Sequence, residues 1–454
     1  MTQRKIFGTD GIRGVPNKDP LTMENILELG RAIAYIFKNG AARHKGKIVI
    51  GRDTRSSGYM LESALSAGIT SMGLDVLYVG ALPTPAIAFL AKDMRADAGI
   101  IISASHNPYT DNGIKIFDKD GFKLSDNIEH KIEKLMFSDE LHNKFAEPEK
   151  LGTIKVLNDA KSRYVVFAKK SFPKDLTLEG LKIVLDCANG AAYEVGHIIF
   201  EELGAEVILT GATPNGININ DNCGALHPEN IVELVKEHKA DMGITLDGDA
   251  DRVILVDEKG NIVDGDAIMA MIAIQLKTKN ELMKNTVVVT PMSNFGFGKV
   301  MKEHDIEMVE AAVGDRYVVE KMRDSGYNFG GEQSGHIIFL DHTTTGDGII
   351  AALQVLSLII KSTKPLSELS KVMKKFPQVL KNIKVKDKVP FEKIPNFNKR
   401  LEEIRSELGE KGRVFVRYSG TEPIARVMIE GENHNAIVRY ADDLISIIND
   451  KIGH

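Results

Sequence analysis

The sequence contains no tryptophan and only two cysteines in 454 residues. Cys187 and Cys223 are too few for a disulfide framework in a chain of this length, so we expect both to be reduced thiols. No apolar run approaches the roughly 20 residues that a membrane-spanning helix needs, and the start, MTQRKIFGTD, has no apolar segment of a secretory signal. The formal charge of −5 excludes the basic surface typical of proteins that bind nucleic acid or anionic membranes. We therefore expect a cytoplasmic protein with neither of these partners.

The length predicts about three or four domains, because one hydrophobic core rarely serves more than roughly 150 residues. An apolar strand, a polar turn, a helix and a second strand follow one another three times, starting at Lys47–Ile50, Leu181–Leu185 and Asn285–Thr290. β-Branched runs that alternate with helical periodicity predict βαβ units in mixed, mainly parallel sheets. After about Pro365 the pattern changes to that of a smaller α+β domain. Its predicted elements are a helix over Leu366–Lys375, strands over Arg413–Arg417 and Arg426–Glu430, and a helix over Asn435–Asp450.

Each of the three copies also contains a strand that runs into a polar loop and returns as another apolar strand. The three loops are Ser105–Asn107, Asp247–Arg252 and Glu332–His336. Ligands of open α/β sheets gather outside the carboxyl ends of the strands. If the three loops face one cleft, each would contribute a different set of polar groups to the same substrate. The alternative is that these polar residues only stabilise ordinary turns.

The second loop carries three aspartates at alternate positions. In an extended segment, Asp247, Asp249 and Asp251 would point to the same side. Carboxylate oxygens favour Mg²⁺ or Ca²⁺, and three ligands leave coordination sites for a phosphoryl oxygen. An EF-hand is a weaker interpretation because its sixth position requires glycine, where this chain has Arg252. The same residues would also suit a phosphatase with an aspartate nucleophile, or simply a solvated acidic turn.

The first loop places a serine directly after a very apolar strand, Gly99–Ile102, and beside a histidine. The hydroxyl of Ser105 is a weak nucleophile unless a base or a metal assists it. No G-x-S-x-G elbow surrounds it, so acyl transfer loses its main support. Together with a magnesium loop, the serine indicates phosphoryl transfer, and the alternative is a turn serine with a capping role.

Phosphoryl transfer requires positive groups around the moving phosphate. Loop positions offer Arg13, Lys115 and Arg252. A turn near the C-terminus, RYSGTEP, predicts a phosphate nest of backbone N–H groups flanked by arginines, with an ordinary hairpin turn as the alternative. The residues of this predicted nest are Arg417, Ser419, Gly420, Thr421 and Arg426.

Six motifs in order resemble the α-D-phosphohexomutase superfamily, and most closely its bacterial phosphoglucosamine mutase branch. They are FGTDGIRG, SASHNP, DGDADR, VGDRYV, GEQSGH and RYSGTEP, and they extend from Phe7 to Pro423. The resemblance implies an α/β molecule in which three similar domains and a smaller α+β domain surround one deep central cleft. The implied domains are 1–156 with the phosphoserine, 157–256 with the metal, 257–370 for the sugar and 371–454 for the phosphate.

The resemblance also implies site residues. Ser105 would be the phosphoserine, and the three aspartates would hold one Mg²⁺ per active site together with a phosphoserine oxygen. Glu332 and Ser334 would bind sugar hydroxyls, and the RYSGTEP residues the phosphate that is not reacting. The residues implied to line the reaction centre are Arg13, Lys115, His106, Arg252 and His336. Of these, Lys115 and His336 are the proton-transfer candidates, and His106 would position the phosphoserine.

The implied reaction interconverts glucosamine 6-phosphate and glucosamine 1-phosphate through a 1,6-bisphosphate, which supplies UDP-N-acetylglucosamine and cell-wall synthesis. Phosphoglucomutase or phosphomannomutase activity is the alternative within the superfamily, and a non-catalytic divalent-ion sensor is the alternative outside it. The superfamily suggests a homodimer. Relatives often carry a basic residue or threonine before VGDRYV, where this chain has Glu310-Ala311-Ala312, so Arg316 is interpreted as a brace for the third domain.

Overall fold

The computed structural model describes residues 6–8, 10–38, 45–419 and 423–453. The chain forms two compact units. The larger comprises Met1–Met292 and Ile306–Lys371, and the smaller comprises Ser293–Asp305 and Val372–His454. The larger unit contains three mixed sheets, and the smaller contains one antiparallel sheet. This organisation confirms the predicted fold class.

The first sheet has seven strands in the order β1-β2-β6-β5-β3-β4-β7. The strands are β1 (Phe7–Gly8), β2 (Gly11–Gly14), β3 (Lys47–Arg52), β4 (Asp75–Ala81), β5 (Ala98–Ile102), β6 (Asn112–Asp118) and β7 (Ile154–Val156). Every residue of β5 is buried, as the continuous apolar run predicts for a strand covered on both faces. Strand β3 is parallel to β4 and β5, whereas β6 is antiparallel to β5. The carboxyl ends of the parallel strands therefore share one edge, where the serine loop begins.

Four helices pack on this sheet and on one another. They are α1 (Met23–Lys38), α2 (Ser57–Ser71), α3 (Thr84–Asp93) and α4 (Asp126–Met136), followed by 3₁₀ turns at Asp139–Leu141 and Pro148–Lys150. A Cβ on Gly68 would lie 2.2 Å from the carbonyl oxygen of Leu27, and a Cβ on Gly30 would lie 2.3 Å from that of Leu65. The backbones of α1 and α2 therefore approach so closely that no larger residue fits.

The second sheet has five strands in the order β12-β11-β10-β8-β9. The strands are β8 (Lys182–Asp186), β9 (Glu206–Thr210), β10 (Met242–Leu246), β11 (Val253–Asp257) and β12 (Ile262–Val263), with helices α5 (Ala160–Lys169), α6 (Gly196–Glu201) and α7 (Glu229–Glu237) and a 3₁₀ turn at Gly224–Leu226. Strand β10 is parallel to β8 and antiparallel to β11, with Leu246 opposite Val253. The acidic loop is thus the short connection between two adjacent buried strands.

The third sheet has four strands in the order β14-β13-β15-β16. The strands are β13 (Thr286–Val289), β14 (Glu307–Glu310), β15 (Phe329–Gly331) and β16 (Ile337–Phe339). The helices of this part of the chain are α8 (Gly265–Thr278), α9 (Phe295–Glu303), α10 (Asp315–Ser325), α11 (Gly348–Ser362) and α12 (Leu366–Leu369), with 3₁₀ turns at Met283–Asn285 and Ser370–Val372. Within the described residues, no single helix is long and apolar enough to cross a membrane. Only α11 taken together with Leu366–Val372 reaches that length and composition, across a bend of 92°.

The smaller unit is built on a three-stranded antiparallel sheet in the order β17-β19-β18. Its elements are β17 (Gln378–Lys384), β18 (Gly412–Tyr418), β19 (Ile424–Gly431), helices α9, α13 (Phe397–Leu408) and α14 (His434–Ile452), and 3₁₀ turns at Phe391–Lys393 and Gly409–Lys411. Tyr440, Leu444 and Ile448 lie on one face of α14 and are buried in the same core as Val427 and Ile429 of β19.

The predicted helix over Leu366–Lys375 is wrong beyond its first turns, since α12 ends at Leu369 and the following 3₁₀ turn ends at Val372. Pro377 disfavours helix in the residue before it. In addition, the side-chain amide of Asn294 donates to the carbonyl of Phe376 at 3.1 Å and accepts from its N–H at 2.9 Å. The backbone is thus hydrogen-bonded to a side chain instead of to a helical turn.

We expect Gly68→Ala to destabilise the protein, although alanine normally favours a helix by about 1 kcal/mol over glycine. Forcing a Cβ against the Leu27 carbonyl should cost about 1–3 kcal/mol, which lowers the unfolding temperature by roughly 5 °C. Gly58→Ala in the same helix is the control, because its Cβ would meet only the flexible side chain of Arg52, at 3.1 Å. Equal unfolding temperatures of the two variants would contradict this account of the contact between α1 and α2.

Candidate active site

The serine loop leaves β5 and brings one hydroxyl to the acidic loop of the second sheet. Ser105 is 1% exposed, and its Oγ donates a hydrogen bond of 2.6 Å to Oδ2 of Asp247. Its φ of 54° lies in the left-handed region, which costs a non-glycine residue about 1–2 kcal/mol. Its own N–H donates to Oγ of Ser103, at 2.9 Å. Ser103, the residue that follows β5, therefore helps to fix the loop.

A buried ion pair lies beneath this loop. Arg55 is 0% exposed, and its Nη2 donates to the carbonyl oxygens of Ser105 at 3.1 Å and Asn107 at 2.6 Å. The carboxylate of Asp53 pairs with Arg55 and accepts the hydroxyl hydrogen of Ser103 at 2.6 Å. Burial raises the pKa of Asp53, and Arg55 counteracts that shift. Both residues lie in the polar turn after the first predicted strand, and neither was predicted as a site residue.

The three aspartates converge, but through a turn and not through the extended geometry that their alternation predicts. Strand β10 ends at Leu246, and Ala250 has a φ of 56°. One carboxylate oxygen from each of Asp247, Asp249 and Asp251 lies within 4.8 Å of those of the other two. Strands, not helices, flank the loop, which contradicts the EF-hand alternative.

All three carboxylates are buried, and their charges act on one another. Burial and the two neighbouring carboxylates raise the pKa of Asp247 well above its ordinary value. Burial acts in the same direction on Asp251, but Lys115 and His336 hold the pKa of that carboxyl well below its ordinary range. Asp249 accepts a hydrogen bond of 2.6 Å from the hydroxyl of Thr84, a contact that the sequence did not reveal.

This oxygen set fits a hard divalent cation. Within the part of the chain that the structure describes, Oδ1 of Asp249 and Oδ1 of Asp251 are buried and accept no hydrogen bond. Leaving such an oxygen without a partner costs about 1–3 kcal/mol or more when it is charged. Three carboxylates and the hydroxyl of Ser105 form an all-oxygen set of the kind that Mg²⁺ prefers. The predicted metal-binding residues are therefore brought together.

Lys115, on β6, reaches the same carboxylates from the first sheet. Its Nζ lies 3.0 Å from Oδ2 of Asp249, 3.1 Å from Oδ2 of Asp251 and 3.4 Å from Oδ2 of Asp10. Burial alone would lower the pKa of Lys115, but the three carboxylates raise it well above its ordinary value. Lys115 is therefore a buried cation.

His336 lies between two carboxylates. Its Nδ1 is 3.6 Å from Oδ1 of Asp251, and its Nε2 is 3.2 Å from Oδ2 of Asp315. The N–H of Gly346 donates to Nε2 at 3.0 Å, and a Cβ on Gly346 would lie 2.5–2.6 Å from three ring atoms. Nε2 therefore has two close neighbours, the N–H of Gly346 and the carboxylate of Asp315. Burial lowers the pKa of His336, and the two carboxylates outweigh burial and raise it.

His106 has the opposite electrostatics. Its Nδ1 lies 3.3 Å from Oγ of Ser105. Burial, followed by the charges of Arg252 and Arg13, lowers the pKa of His106 to about 4. The imidazole is therefore neutral near pH 7, which suits a hydrogen-bonding partner of the serine more than a counter-ion.

The two predicted arginines flank the serine loop. Nη1 of Arg13 donates to the carbonyl of Ala104 at 3.4 Å and to Oδ1 of Asn107 at 3.3 Å. The backbone N–H of Arg252 donates to Oδ1 of Asp247 at 3.1 Å, while its Nε lies 3.9 Å from the carboxylate of Asp251. Both guanidinium groups thus lie beside the carboxylates and the serine.

The predicted sugar-binding residues lie on the loop after β15. Glu332 is partly exposed, and its Oε1 accepts from the N–H of Gly314 at 3.3 Å. Ser334 is exposed, and its hydroxyl lies 3.4 Å from Oε2 of Glu332. Arg316 does not join this group, because it donates to Glu129 at 2.8 Å and to the carbonyl of Leu124 at 3.1 Å. Arg316 lies in the first turn of α10 and anchors that helix to α4, which agrees with the predicted brace.

The smaller unit carries the predicted phosphate-binding residues. Arg417 and Arg426 are directly opposite each other on β18 and β19, a like-charge pairing that is unfavourable without an anion. Burial and Arg426 lower the pKa of Arg417. Ser419 is 6% exposed, and its N–H donates to the carbonyl of Ile424 at 2.8 Å. Gly420 and Thr421, the other two predicted residues, lie outside the described residues.

Profiles of four successive domains match nearly the whole chain. Their descriptions are phosphoglucomutase/phosphomannomutase alpha/beta/alpha domains I, II and III and C-terminal domain, matched at residues 4–143, 162–260, 264–376 and 380–447. This chain belongs to the phosphoglucomutase/phosphomannomutase family. It is 56% identical over 450 residues to the phosphoglucosamine mutase of Citrifermentans bemidjiense, with 99% of each chain covered. The predicted resemblance to the superfamily and to this branch is confirmed.

Solved structures agree on the fold. A phosphoglucomutase/phosphomannomutase family protein from Burkholderia thailandensis has a TM-score of 0.80 at 23% identity, with 100% of both chains covered. An N-acetylphosphoglucosamine mutase variant from Aspergillus fumigatus, solved in complex with glucose 1,6-bisphosphate, has a TM-score of 0.64 at 18% identity and covers 99% of this chain and 96% of its own. At these identities the likeness establishes the fold alone.

We expect Mg²⁺ to raise the unfolding temperature, because a cation that binds only the folded acidic loop stabilises it by mass action, by about 2.7 kcal/mol at 100 times the dissociation constant. Asp249→Asn should abolish this shift. Asp221→Asn, an exposed aspartate in the same part of the chain, should retain it. A thermal titration with Mg²⁺ checks both variants, and an unchanged shift in Asp249→Asn would contradict the proposed ligand set.

Proposed function

We propose that this chain interconverts glucosamine 6-phosphate and glucosamine 1-phosphate through a phosphoserine at Ser105 and a glucosamine 1,6-bisphosphate intermediate. One observation carries the proposal: the buried hydroxyl of Ser105 donates at 2.6 Å to an aspartate of a three-carboxylate cluster, in a chain 56% identical to a phosphoglucosamine mutase over its whole length. A serine alone would be a weak nucleophile, and the three carboxylates would hold a cation whose positive charge phosphoryl transfer needs.

The proposed cofactor is one Mg²⁺, held by Asp247, Asp249 and Asp251 together with an oxygen on Ser105. When bound, it would supply Lewis-acid stabilisation of the phosphoryl oxygens. The two buried carboxylate oxygens without hydrogen-bond donors support this assignment. The guanidinium groups of Arg13 and Arg252 lie at the same loops and would stabilise the charge of the transferring group.

In the proposed first half-reaction the bond between phosphorus and Oγ of Ser105 breaks, and a sugar hydroxyl oxygen forms the new bond to phosphorus. The hydroxyl proton leaves to a side chain, and the second half-reaction reverses these events with the other phosphoryl group. Lys115 and His336 are our candidates for proton transfer, because both lie within 3.6 Å of the acidic cluster. Nearby carboxylates raise both pKa values and favour the protonated form, which can donate a proton to the departing oxygen. A cation bound to the aspartates would counteract that shift and let either side chain accept the hydroxyl proton. His106, neutral near pH 7, is proposed to orient Ser105.

The remaining roles also stay proposals. Glu332 and Ser334 would bind sugar hydroxyls, and Arg417, Ser419 and Arg426 would bind the phosphate that is not being transferred. The divisions near residues 156, 256 and 370, the cytoplasmic location and the homodimer stay predictions.

Phosphorus NMR of the purified protein with Mg²⁺, glucosamine 6-phosphate and a trace of sugar bisphosphate should show glucosamine 1-phosphate appearing, much faster than glucose 6-phosphate reacts. Ser105→Ala should abolish turnover because the phosphoryl acceptor is removed, while Ser63→Ala, an exposed serine of α2, should react like the wild type. If only inorganic phosphate accumulated, the protein would be a phosphatase and not a mutase. Faster reaction of glucose 6-phosphate would change only the sugar.

We expect Arg417→Ala to raise KM for both hexosamine phosphates by roughly 10–100-fold, since a charge-assisted clamp on phosphate is worth about 1.5–3 kcal/mol. The Mg²⁺-dependent rise in unfolding temperature should be unchanged. Arg405→Ala removes an exposed arginine of α13 and is the matched control. Steady-state kinetics in both directions measure the effect, and an unaltered KM would remove Arg417 from the phosphate site.

A further inference from the structure

Two side chains from different sheets donate to the same two carbonyl oxygens of the serine loop. Nδ2 of Asn220, on the loop after β9, lies 2.9 Å from the carbonyl oxygen of Ser105 and 3.0 Å from that of Asn107. Nη2 of Arg55, on the loop after β3, lies 3.1 Å and 2.6 Å from the same two oxygens. Each oxygen thus accepts one hydrogen bond from each side. We call Arg55 and Asn220 the carbonyl clamp.

The clamp is rigid on the side of the second sheet. Asn220 is 8% exposed, has a φ of 58°, and donates its N–H to the carbonyl of Ala188 at 2.9 Å. Gly248, in the acidic loop, passes so close that a Cβ there would lie 2.7 Å from the Ser105 carbonyl and 2.9 Å from Nδ2 of Asn220. Asn220 therefore fixes the serine loop directly against the loop that carries the three aspartates.

The conformation of Ser105 explains why a clamp is needed. A left-handed serine persists only where its surroundings over-determine it. Rotation of the peptide groups on either side of Ser105 would release this strain and carry Oγ away from Asp247. Misplacement of a reacting atom by about 1 Å can cost roughly 100-fold in rate. Arg55 and Asn220 both donate hydrogen bonds to the carbonyl oxygens of Ser105 and Asn107, and these bonds oppose that rotation.

We propose that Asn220 is a positioning residue, which acts through the two carbonyls to hold Oγ of Ser105 in its reactive orientation. The inference rests on the proposed phosphoserine function. The side-chain amide of Asn220 donates to the loop backbone and, within the described residues, not to the three aspartate carboxylates. Its removal therefore lowers the rate of phosphoryl transfer and leaves the binding of Mg²⁺ and sugar phosphate intact.

The test compares Asn220→Gly with Asn222→Gly. Glycine keeps the left-handed backbone available at both positions, since Asn222 has a φ of 48°. Asn222 is exposed in the same loop, and its side-chain amide donates to the neighbouring Asp221. Asn220→Asp is the second variant, because it keeps the shape and the backbone preference but replaces the donor with a carboxylate.

Three experiments are compared. Steady-state kinetics give kcat and KM for glucosamine 6-phosphate. Intact-mass spectrometry gives the single-turnover rate at which the bisphosphate phosphorylates Ser105, and thermal unfolding gives the Mg²⁺-dependent rise in unfolding temperature. We expect both Asn220 variants to lose roughly 10–100-fold in kcat and in the single-turnover rate, with KM within about twofold and the Mg²⁺ effect retained. Asn222→Gly should match the wild type.

Equal rates in Asn220→Gly and Asn222→Gly would overturn the proposal. A loss of the Mg²⁺ effect together with the rate would also overturn it, because Asn220 would then be a general structural residue. If the wild type itself has no mutase activity, the proposed function fails. In that case hydrogen exchange of the backbone amides of residues 103–107 tests the clamp separately. Faster exchange in Asn220→Gly than in Asn222→Gly would show that Asn220 holds the loop, and equal exchange would show that it does not.

Discussion

The packing of charges in the larger unit depends on three buried carboxylates, one of which accepts the hydroxyl hydrogen of Ser105. At an effective dielectric constant of about 20, two unit charges about 4 Å apart repel by roughly 4 kcal/mol. Three ionised aspartates would therefore cost on the order of 10 kcal/mol, comparable to the stability of a whole domain. The buried ammonium of Lys115, between Asp249 and Asp251, offsets part of this repulsion. The proposed divalent cation would offset more of it at Oδ1 of Asp249 and of Asp251, which accept no hydrogen bond from the described residues.

The sheets explain how so many charges meet. The serine loop, the acidic loop and the loop of Glu332–His336 follow β5, β10 and β15, and each returns into an antiparallel strand. Charges then alternate outward from the acidic loop: His336 lies beside Asp315, Asp315 pairs with Lys123, and Lys123 pairs with Asp10. Each buried charge in this series is next to a charge of opposite sign. The series therefore connects residues from the first and third sheets with the acidic loop of the second.

What the sequence could predict was local. The repeats predicted the strands. Ser105 and the three aspartates were found because they are polar residues that directly follow apolar strands, where ligands of α/β sheets usually bind. Asn220 and Thr84 could not be found in this way, since each matters through contacts with residues more than 100 positions away in the chain. β17 and α13 were also not predicted. No residue of β17 is fully buried, and in α13 only Phe397, Ile404 and Leu408 are, so neither element has a strong apolar pattern.

The proposed phosphorylation of Ser105 would change the electrostatics of the site. In the form described, it donates a hydrogen to Asp247, whose pKa is raised by burial and by the other two carboxylates. A phosphoryl group would remove that hydrogen and bring about −1.5 to −2 charges to the same place. A phosphorylated Ser105 would therefore depend more strongly on the positive charges of Arg13, Arg252 and the proposed cation. Because linkage is reciprocal, if phosphorylation of Ser105 strengthens cation binding by some factor, a bound cation favours the phosphorylated serine by the same factor.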